Sequence, residues 1–303
     1  MRPRTYELEM ARARQRVESV PSQTLMISCG ALQYALSGEG QPVLISHGIF
    51  GGHPEGLGMI DAYYGNDALA IAPSRFGYFG SSLPKGATPA LQADAYSELL
   101  DALSIEKVVA IGFSAGGPST IELALRHPDR VELLVLASSA LPKAPMSRWT
   151  ARLLPPLMSA ALSTERIFWT FKRLFPGTLR RLLGVPEDYE MTTEDERVFN
   201  EIAYSLFPIT PRRDGAIFDA FIGNPYVNGC RLENITTPTL IVHSADDALA
   251  PYDSAQNAAA RMPSARFVTI DTGGHEFLGH QSLVRDAIHD SLKSIRKQQP
   301  VGV

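Results

Sequence analysis

Cysteine is scarce in this chain of 303 residues, which has only Cys29 and Cys230, far apart in sequence. Two separated cysteines form no disulfide framework and match no metal-binding spacing, so we expect no disulfide-held scaffold and no bound metal. An excess of one charge is also lacking, because 28 Lys and Arg against 32 Asp and Glu give a net charge of -4. That balance provides no basic surface for nucleic acid, which we exclude as a partner.

Long hydrophobic runs are missing as well. No stretch approaches the roughly 20 apolar residues of a transmembrane helix, so we expect no stable membrane insertion. The first 20 residues mix arginines with Glu7, Glu9 and Glu18 and lack the apolar stretch of a secretory signal. The sequence therefore predicts a cytoplasmic protein and leaves its oligomeric state open. Membrane attachment through the arginines of residues 2–16 is a weaker alternative, since the glutamates reduce their net charge.

Hydrophobic residues make up 45% of the chain, which suffices for one large core. Short apolar runs predict strands buried on both faces of a sheet. These runs lie at residues 43–46, 68–72, 108–112, 133–137, 239–242 and 266–270. Between two of them, Thr88 and Pro89 predict the start of a helix with an apolar stripe at Leu91, Ala95 and Leu99. Strands that alternate with helices indicate a mostly parallel α/β sheet flanked by helices.

The alternation stops near Leu141 and resumes at Thr239, and the residues between have helical patterns without buried-strand runs. We therefore predict a core domain that is interrupted by a helical insertion. The predicted segments are an N-terminal extension at 1–20, the core at 21–140 and 235–303, and the insertion at 141–234. The extension is either a helix packed on the domain or a frayed tail. A closing helix is predicted at residues 280–297.

Two local patterns subdivide the insertion. Pro155 and Pro156 are expected to break its first helix. Thr193 with Glu196 three residues later predicts a capping box that opens a later helix. An alternative is that the acidic residues 194–196 bind a substrate amine, although acids are common in a helical first turn because they interact favourably with the helix dipole.

The most specific motif is Gly112-Phe113-Ser114-Ala115-Gly116, which lies where a buried strand ends and a helix begins. A Gly-x-Ser-x-Gly turn in this context holds a serine on a sharp, strained bend with its hydroxyl exposed. Glycine is needed on both sides because the bend forces backbone segments together. The motif alone occurs by chance, but at a strand-to-helix junction it predicts Ser114 as a nucleophile.

A serine hydroxyl needs a base to remove its proton, and His275 follows the last predicted strand in a glycine-containing loop. His280 is its nearest rival, whereas His127 and His289 are expected at a helix end and inside a helix. A carboxylate must in turn orient the base. Asp246 and Asp247 both follow a buried strand. We favour Asp247, and expect Asp246 to cap the adjoining turn.

The transition state also requires hydrogen-bond donors for the developing oxyanion. One predicted donor is the backbone N–H of Ala115, directly after the nucleophile. The second is the N–H of Ile49, with Phe50 as the alternative, in the glycine-rich loop of residues 47–52. His47 in this loop is expected to fix the loop's shape and not to transfer protons.

These motifs resemble those of the α/β-hydrolase superfamily, in particular its lidded serine esterase and lipase branch, across residues 25–295. The matching residues are the loop 47–51, the elbow 112–116, the acid turn 244–251 and the pair Gly274-His275. In the acid turn, Asp247 followed four residues later by Pro251 fits the family pattern and supports Asp247 over Asp246. The resemblance implies an eight-stranded sheet and identifies the insertion as a lid.

The chain departs from the family pattern at two points. Ser74 stands where members often have an aspartate, which puts the shape of that loop in doubt, and Ser244 stands where glycine is usual. A serine nucleophile also argues against the epoxide hydrolase and haloalkane dehalogenase branches. The catalytic set itself is unaffected by these departures.

We therefore expect hydrolysis of a small-to-medium hydrophobic carboxylic ester through an acyl-enzyme, without a cofactor. Apolar residues of the insertion are expected partly to pack against the core and partly to line the substrate pocket. They are Trp149, Leu153, Leu154, Leu157, Met158, Phe168, Trp169, Phe171 and Phe175. Alternatives with the same triad are carbon–carbon bond hydrolysis, amide or peptide cleavage, and perhydrolase or acyltransferase chemistry. A non-catalytic ligand-binding protein of this fold is a further alternative.

Overall fold

The computed structural model describes residues 3–142 and 148–298, with side chains at 5–142 and 153–297. Its centre is one eight-stranded sheet with the order β1-β2-β4-β3-β5-β6-β7-β8, in which only the pairings of β2 with β1 and with β4 are antiparallel. The strands are β1 (Gln23–Ile27), β2 (Gly30–Ser37), β3 (Gln41–Ser46), β4 (Ala68–Pro73), β5 (Val108–Phe113), β6 (Val131–Ala137), β7 (Thr239–Ser244) and β8 (Ala265–Ile270). The predicted fold class is confirmed, and each predicted strand lies within one of β3 to β8. The edge strand β1 was not singled out, because it is half exposed and has no continuous apolar run.

Helices cover both faces of the sheet and connect the parallel strands. The core helices are α2 (His53–Tyr63), α3 (Pro89–Ala102), α4 (Gly117–Arg126), α11 (Tyr252–Arg261) and α12 (Gln281–Gln298). The central strand β5 is buried along its whole length, and alternate residues face different helix layers. Val108 and Ala110 pack into one cluster with α3 and α4, and Val109 and Ile111 into the other with α2 and α12. The two clusters account for the continuous apolar runs in the sequence.

The segment between β6 and β7 is helical. Its helices are α5 (Arg148–Ala161), α6 (Glu165–Leu174), α7 (Pro176–Leu182), α8 (Thr193–Ser205), α9 (Arg213–Phe218) and α10 (Asn224–Tyr226), with a π-helix at Asp219–Gly223. Of the predicted segments, residues 1–2, 143–147 and 299–303 lie outside the described residues. Among the described residues, no helix combines the length and the apolarity needed to cross a lipid bilayer.

The N-terminal helix α1 (Pro3–Glu18) packs on this helical insertion. Met10 and Ala13 are buried against Trp169 and Phe207 in one apolar cluster. Trp169 Nε1 donates a hydrogen bond to Glu9 Oε2 at 2.7 Å. Of the two alternatives for the first 20 residues, the structure therefore shows the packed helix, and its partner is the insertion.

Two local predictions for the insertion are wrong. Pro155 and Pro156 lie inside α5 and do not break it. Met158 in α5 and Leu162 directly after it pack in an apolar cluster, and tertiary packing of this kind supplies most of the stability of a helix in a protein. The capping box of α8 lies one residue earlier than predicted: Thr192 caps the helix, and Asp195 is its partner. The carboxylate of Asp195 accepts the Thr192 N–H at 2.9 Å.

Candidate active site

The turn after β5 is sharply bent. Ser114 has a φ of +50°, and the chain then makes one 3₁₀ turn (Ser114–Gly116) before α4. The glycines on both sides are sterically required, as expected. A Cβ on Gly112 would lie 2.1 Å from Thr120 Oγ1, and a Cβ on Gly116 would lie 1.9 Å from the Ser46 carbonyl oxygen. Neither distance allows a side chain, so the serine is held in the left-handed conformation by its surroundings.

The structure brings three predicted residues into contact. Ser114 Oγ lies 2.8 Å from His275 Nε2, and His275 Nδ1 lies 2.8 Å from Asp247 Oδ2. Ser114 follows β5, Asp247 follows β7 and His275 follows β8, so all three lie at the carboxyl ends of parallel strands. All three side chains are largely buried. In this geometry Asp247 fixes the imidazole with its Nδ1–H towards the carboxylate, which leaves Nε2 able to accept the serine proton.

The two neighbouring aspartates have different partners. Asp247 Oδ1 accepts the backbone N–H groups of Leu249 and Ala250, both at 2.8 Å, while its other oxygen faces His275. Asp246 instead accepts hydrogen bonds from the backbone N–H of Gly273 at 3.1 Å and of Gly274 at 2.9 Å. Asp246 therefore ties the loop that carries His275 to the acid turn and is not paired with the imidazole.

The charge state of Asp247 is set by opposing effects. Burial raises the pKa of this carboxyl, but His275 and the Ala250 N–H outweigh it and hold the pKa below its ordinary value. His243 also contributes, with Nε2 at 3.4 Å from Asp247 Oδ2 and 2.9 Å from the Ala250 carbonyl oxygen. His243 was missed as a site residue because it lies inside a strand, where its direction cannot be read from the sequence.

The glycine-rich loop after β3 lies beside the serine, and its Gly48, Ile49 and Phe50 line the same cavity as Ser114. The Phe50 N–H donates to Tyr78 Oη at 3.3 Å. Within the described part of the chain, the N–H of Ile49 donates no hydrogen bond to another loop or turn, whereas the N–H of Phe50 is engaged. Ala115 directly follows the serine in the 3₁₀ turn.

His47 lies in the wall of this loop. Its Nε2 accepts the Arg75 N–H at 3.1 Å, so Nδ1 carries the proton that is donated to the Gly48 carbonyl oxygen at 2.8 Å. Burial, reinforced by the positive charge of Arg75, lowers the pKa of His47 well below its ordinary value. A neutral histidine with both nitrogens occupied supports loop shape, as expected.

A buried ion pair connects the insertion to this loop and to the elbow. Arg75 and Asp219 form a two-pronged pair in which Nη1 lies 2.7 Å from Oδ1, and Tyr78 Oη also donates to Asp219. Arg75 Nη1 further donates to the Ala115 carbonyl oxygen at 3.2 Å. Neither Arg75 nor Asp219 was predicted as a site residue, because the two lie 144 positions apart and match no local motif.

Ser74, which stands where members of the family often have an aspartate, has hydrogen-bond partners nearby. The Ser74 hydroxyl accepts the His53 backbone N–H at 3.1 Å and lies 3.0 Å from His53 Nδ1. The hydroxyl thus provides an acceptor where a carboxylate is usual, and the turn packs closely against the core.

Of the other candidate histidines, His127 and His289 have structural partners. His127 Nε2 lies 2.8 Å from Asp94 Oδ1 at the end of α4, and His289 Nε2 lies 2.8 Å from the Tyr64 carbonyl oxygen. His280 directly precedes α12. None of these three lines the cavity that holds Ser114.

A cavity of about 830 Å³ lies above the serine, and its wall is mostly apolar. It is formed jointly by the core, through Tyr63 and Phe113, and by the insertion, through Met158, Phe168 and Leu183. A largely apolar pocket with a few convergent polar groups is typical of small-molecule sites.

The apolar residues predicted to shape this pocket divide into three groups. Met158 and Phe168 line the cavity, and Trp169 packs against α1 and not against the core. The remaining side chains described lie outside the cavity wall: Leu153, Leu154, Leu157, Phe171 and Phe175. The side chain of Trp149 lies outside the described part of the chain. Within residues 5–142 and 153–297, no group of three or more His, Cys, Asp and Glu side chains is arranged to hold a metal ion.

The fold and the site together define a hydrolase architecture, and comparison with known proteins agrees. Residues 41–279 match the family model of the alpha/beta hydrolase fold. The chain therefore belongs to the alpha/beta hydrolase fold family and is a hydrolase of this family.

Particular relatives are similar along most of the chain. The uncharacterized hydrolase YcgS of Bacillus subtilis is 27% identical over 281 residues, which cover 84% of this chain and 91% of the relative. A 2-hydroxymuconate semialdehyde hydrolase of Pseudomonas putida is 26% identical over 252 residues, covering 78% of this chain and 82% of the relative. The solved structure of an alpha/beta hydrolase fold protein from Nakamurella multipartita has a TM-score of 0.67 at 29% identity, covering 90% of this chain and 99% of that chain.

Proposed function

We propose that this protein hydrolyses carboxylic esters of small-to-medium hydrophobic substrates, with Ser114 as nucleophile, His275 as base and Asp247 as the residue that orients the base. The observation that carries the proposal is the chain of two 2.8 Å contacts from Ser114 Oγ through the imidazole to the Asp247 carboxylate, at the wall of an apolar cavity. This arrangement activates a serine for attack on a carbonyl carbon.

In the first half of the reaction, Ser114 Oγ attacks the ester carbonyl and His275 Nε2 takes its proton. The carbonyl oxygen becomes an oxyanion, which accepts hydrogen bonds from the N–H groups of Ile49 and Ala115. Collapse of this intermediate breaks the bond to the alcohol oxygen, and His275 returns the proton to that oxygen. The Asp247 carboxylate, whose lowered pKa keeps it ionised, stabilises the imidazolium throughout.

In the second half, water attacks the acyl-enzyme. His275 takes a proton from the water and then passes it to Ser114 Oγ as the acid leaves. The apolar wall supports hydrophobic substrates, because a chain that enters the cavity gains about 0.8 kcal/mol for each buried methylene group. We further propose that the insertion acts as a lid, since Met158, Phe168 and Leu183 close the cavity from its side.

The test is hydrolysis of nitrophenyl esters from acetate to laurate by wild type and Ser114→Ala. Rapid turnover with an optimum at one chain length, reduced by several orders of magnitude in the variant, is expected. Folding of the variant is checked by its thermal unfolding midpoint. Full esterase activity in a folded Ser114→Ala protein would refute the role of Ser114.

A second candidate is hydrolysis of a carbon–carbon bond beside a ketone, which the same serine, base and oxyanion donors serve. The similarity to a 2-hydroxymuconate semialdehyde hydrolase favours including it. Turnover of a ring-fission-type 2-hydroxy-6-oxo dienoate by wild type, with nitrophenyl esters unreactive, would select this function over the esterase.

A further inference from the structure

Glu276 follows His275 directly in the chain, and its partly buried side chain lines the same cavity as Ser114 and His275. The ester cleavage described above makes no use of it. Within the described residues, the carboxyl group of Glu276 forms no hydrogen bond or ion pair, and only its backbone carbonyl accepts one, from Gln281. The carboxyl group is therefore available to a ligand that enters the cavity.

The other charged groups that line the cavity are already paired. Arg16 donates to Glu55 at 2.9 Å and to the carbonyl oxygens of Ser205 and Phe207, both at 2.9 Å. Glu201 pairs with Arg197. Among the described residues that line the cavity, Arg16 is therefore neutralised by Glu55, whereas the carboxyl group of Glu276 has no counter-ion.

The side chain of Glu276 occurs in both its neutral and its charged form near neutral pH. Burial is the main influence and raises its pKa to about 7, while His275 lowers the pKa and Asp247 raises it. Tyr63, in the same wall, remains a neutral phenol, because burial and the charge of Glu276 raise its pKa well above the ordinary value. A cation in the cavity favours the carboxylate form, so binding of a protonated amine and ionisation of Glu276 reinforce each other.

We propose that Glu276 is a specificity-determining residue that binds a protonated amine of the substrate, so that the preferred substrates are hydrophobic esters that carry a basic nitrogen. This inference rests on the proposed ester hydrolysis and names its substrate class. The amine lies against Glu276 and Tyr63 while the rest of the substrate occupies the apolar part of the cavity. A charge-assisted hydrogen bond of this kind corresponds to a preference of about ten- to hundredfold.

The experiment compares esters that differ only by exchange of a protonated nitrogen for carbon. On the acyl side, nitrophenyl 6-(dimethylamino)hexanoate is matched with nitrophenyl 7-methyloctanoate. On the alcohol side, 2-(dimethylamino)ethyl hexanoate is matched with 3-methylbutyl hexanoate. At pH 7.5, wild type is expected to prefer the amine in one pair by at least tenfold in kcat/KM, mainly through a lower KM, because the contact is present in the ground state.

Glu276→Gln keeps the size of the side chain and removes its charge. It is expected to abolish the preference, because the amine ester should lose about tenfold or more in kcat/KM relative to its carbon analogue. Glu201→Gln is the matched control, because Glu201 also lines the cavity but is paired with Arg197, and it should keep the preference.

Equal kcat/KM for both members of each pair in wild type would overturn the proposal, as would a preference that survives Glu276→Gln. In either case, serine-dependent hydrolysis of the carbon analogues would leave the proposed ester hydrolysis intact. Loss of turnover on all four esters would instead count against the proposed function, so the two failures are distinguishable.

Discussion

Replacing Asp219 by Asn removes the charge that neutralises Arg75 in the interior. The two side chains are 4% and 0% exposed, and the Arg75 guanidinium also donates to the Ala115 carbonyl oxygen. Because a buried charge left without its partner loses strong interactions and regains no water, the variant should lose about 3–5 kcal/mol in free energy of unfolding. The measurement is urea unfolding at pH 7, followed by circular dichroism.

The matched control is an ion pair on the surface. Arg261 and Glu233 are 2.7 Å apart, but their side chains are 39% and 54% exposed. Glu233→Gln should therefore cost no more than about 1 kcal/mol. If Asp219→Asn and Glu233→Gln shift the unfolding midpoint equally, burial does not govern the strength of these pairs and the reasoning fails.

A double replacement sharpens the same test. Arg75→Met combined with Asp219→Leu removes both charges, so it should be more stable than Asp219→Asn alone. The proposed activity on nitrophenyl esters should nevertheless fall, because Arg75 no longer holds the Ala115 carbonyl and Tyr78 no longer has Asp219 as its acceptor. A double variant with wild-type activity would show that the pair supports the fold alone.

Three further predictions concern the site. Asp247→Asn should lower kcat on nitrophenyl esters by about 10⁴, because the amide stabilises the wrong imidazole tautomer. Asp246→Asn should lower kcat far less. Steady-state kinetics of both folded variants checks this prediction. Gly116→Ala should abolish activity and the yield of folded protein, because its Cβ would lie 1.9 Å from the Ser46 carbonyl oxygen. Gly177→Ala is the control and should keep both, because nothing lies within 4 Å of the added Cβ. The pKa of Glu276 is raised from 4.5 to about 7, so the folded protein keeps a proton that the unfolded chain has lost between these pH values. The free energy of unfolding should therefore fall by up to about 3 kcal/mol more from pH 5 to pH 8 in wild type than in Glu276→Gln, as measured by urea unfolding; parallel pH profiles would contradict this.

The sheet and the elbow were predictable because their signals are local in the sequence. Strands buried on both faces are continuous apolar runs, and the elbow needs glycine at two fixed positions around Ser114. Thr88 likewise caps α3 as predicted, since its hydroxyl accepts the Leu91 N–H at 3.1 Å. In each case the residues that determine the conformation lie within a few positions of one another.

What the sequence did not reveal depends on contacts between distant segments. Pro155 and Pro156 predicted a break, but the helix continues through them, and Met158 and Leu162 just beyond pack in an apolar cluster. The pairing of Arg75 with Asp219 has no local pattern, and neither has the exposure of Glu276 to the cavity. Such contacts arise only when the insertion is folded onto the core, so no short motif encodes them.

The position of α1 has a consequence for the order in which the protein forms. Glu9 bonds to Trp169, 160 positions later, and Arg16 bonds to Phe207, 191 positions later. During synthesis α1 is complete long before these partners leave the ribosome, so its apolar side chains are exposed to solvent in the meantime. Contacts of such separation form late, because the intervening loop must close first. We therefore expect α1 to join the nascent protein only after the insertion has left the ribosome, and to be an early recognition site for chaperones until then.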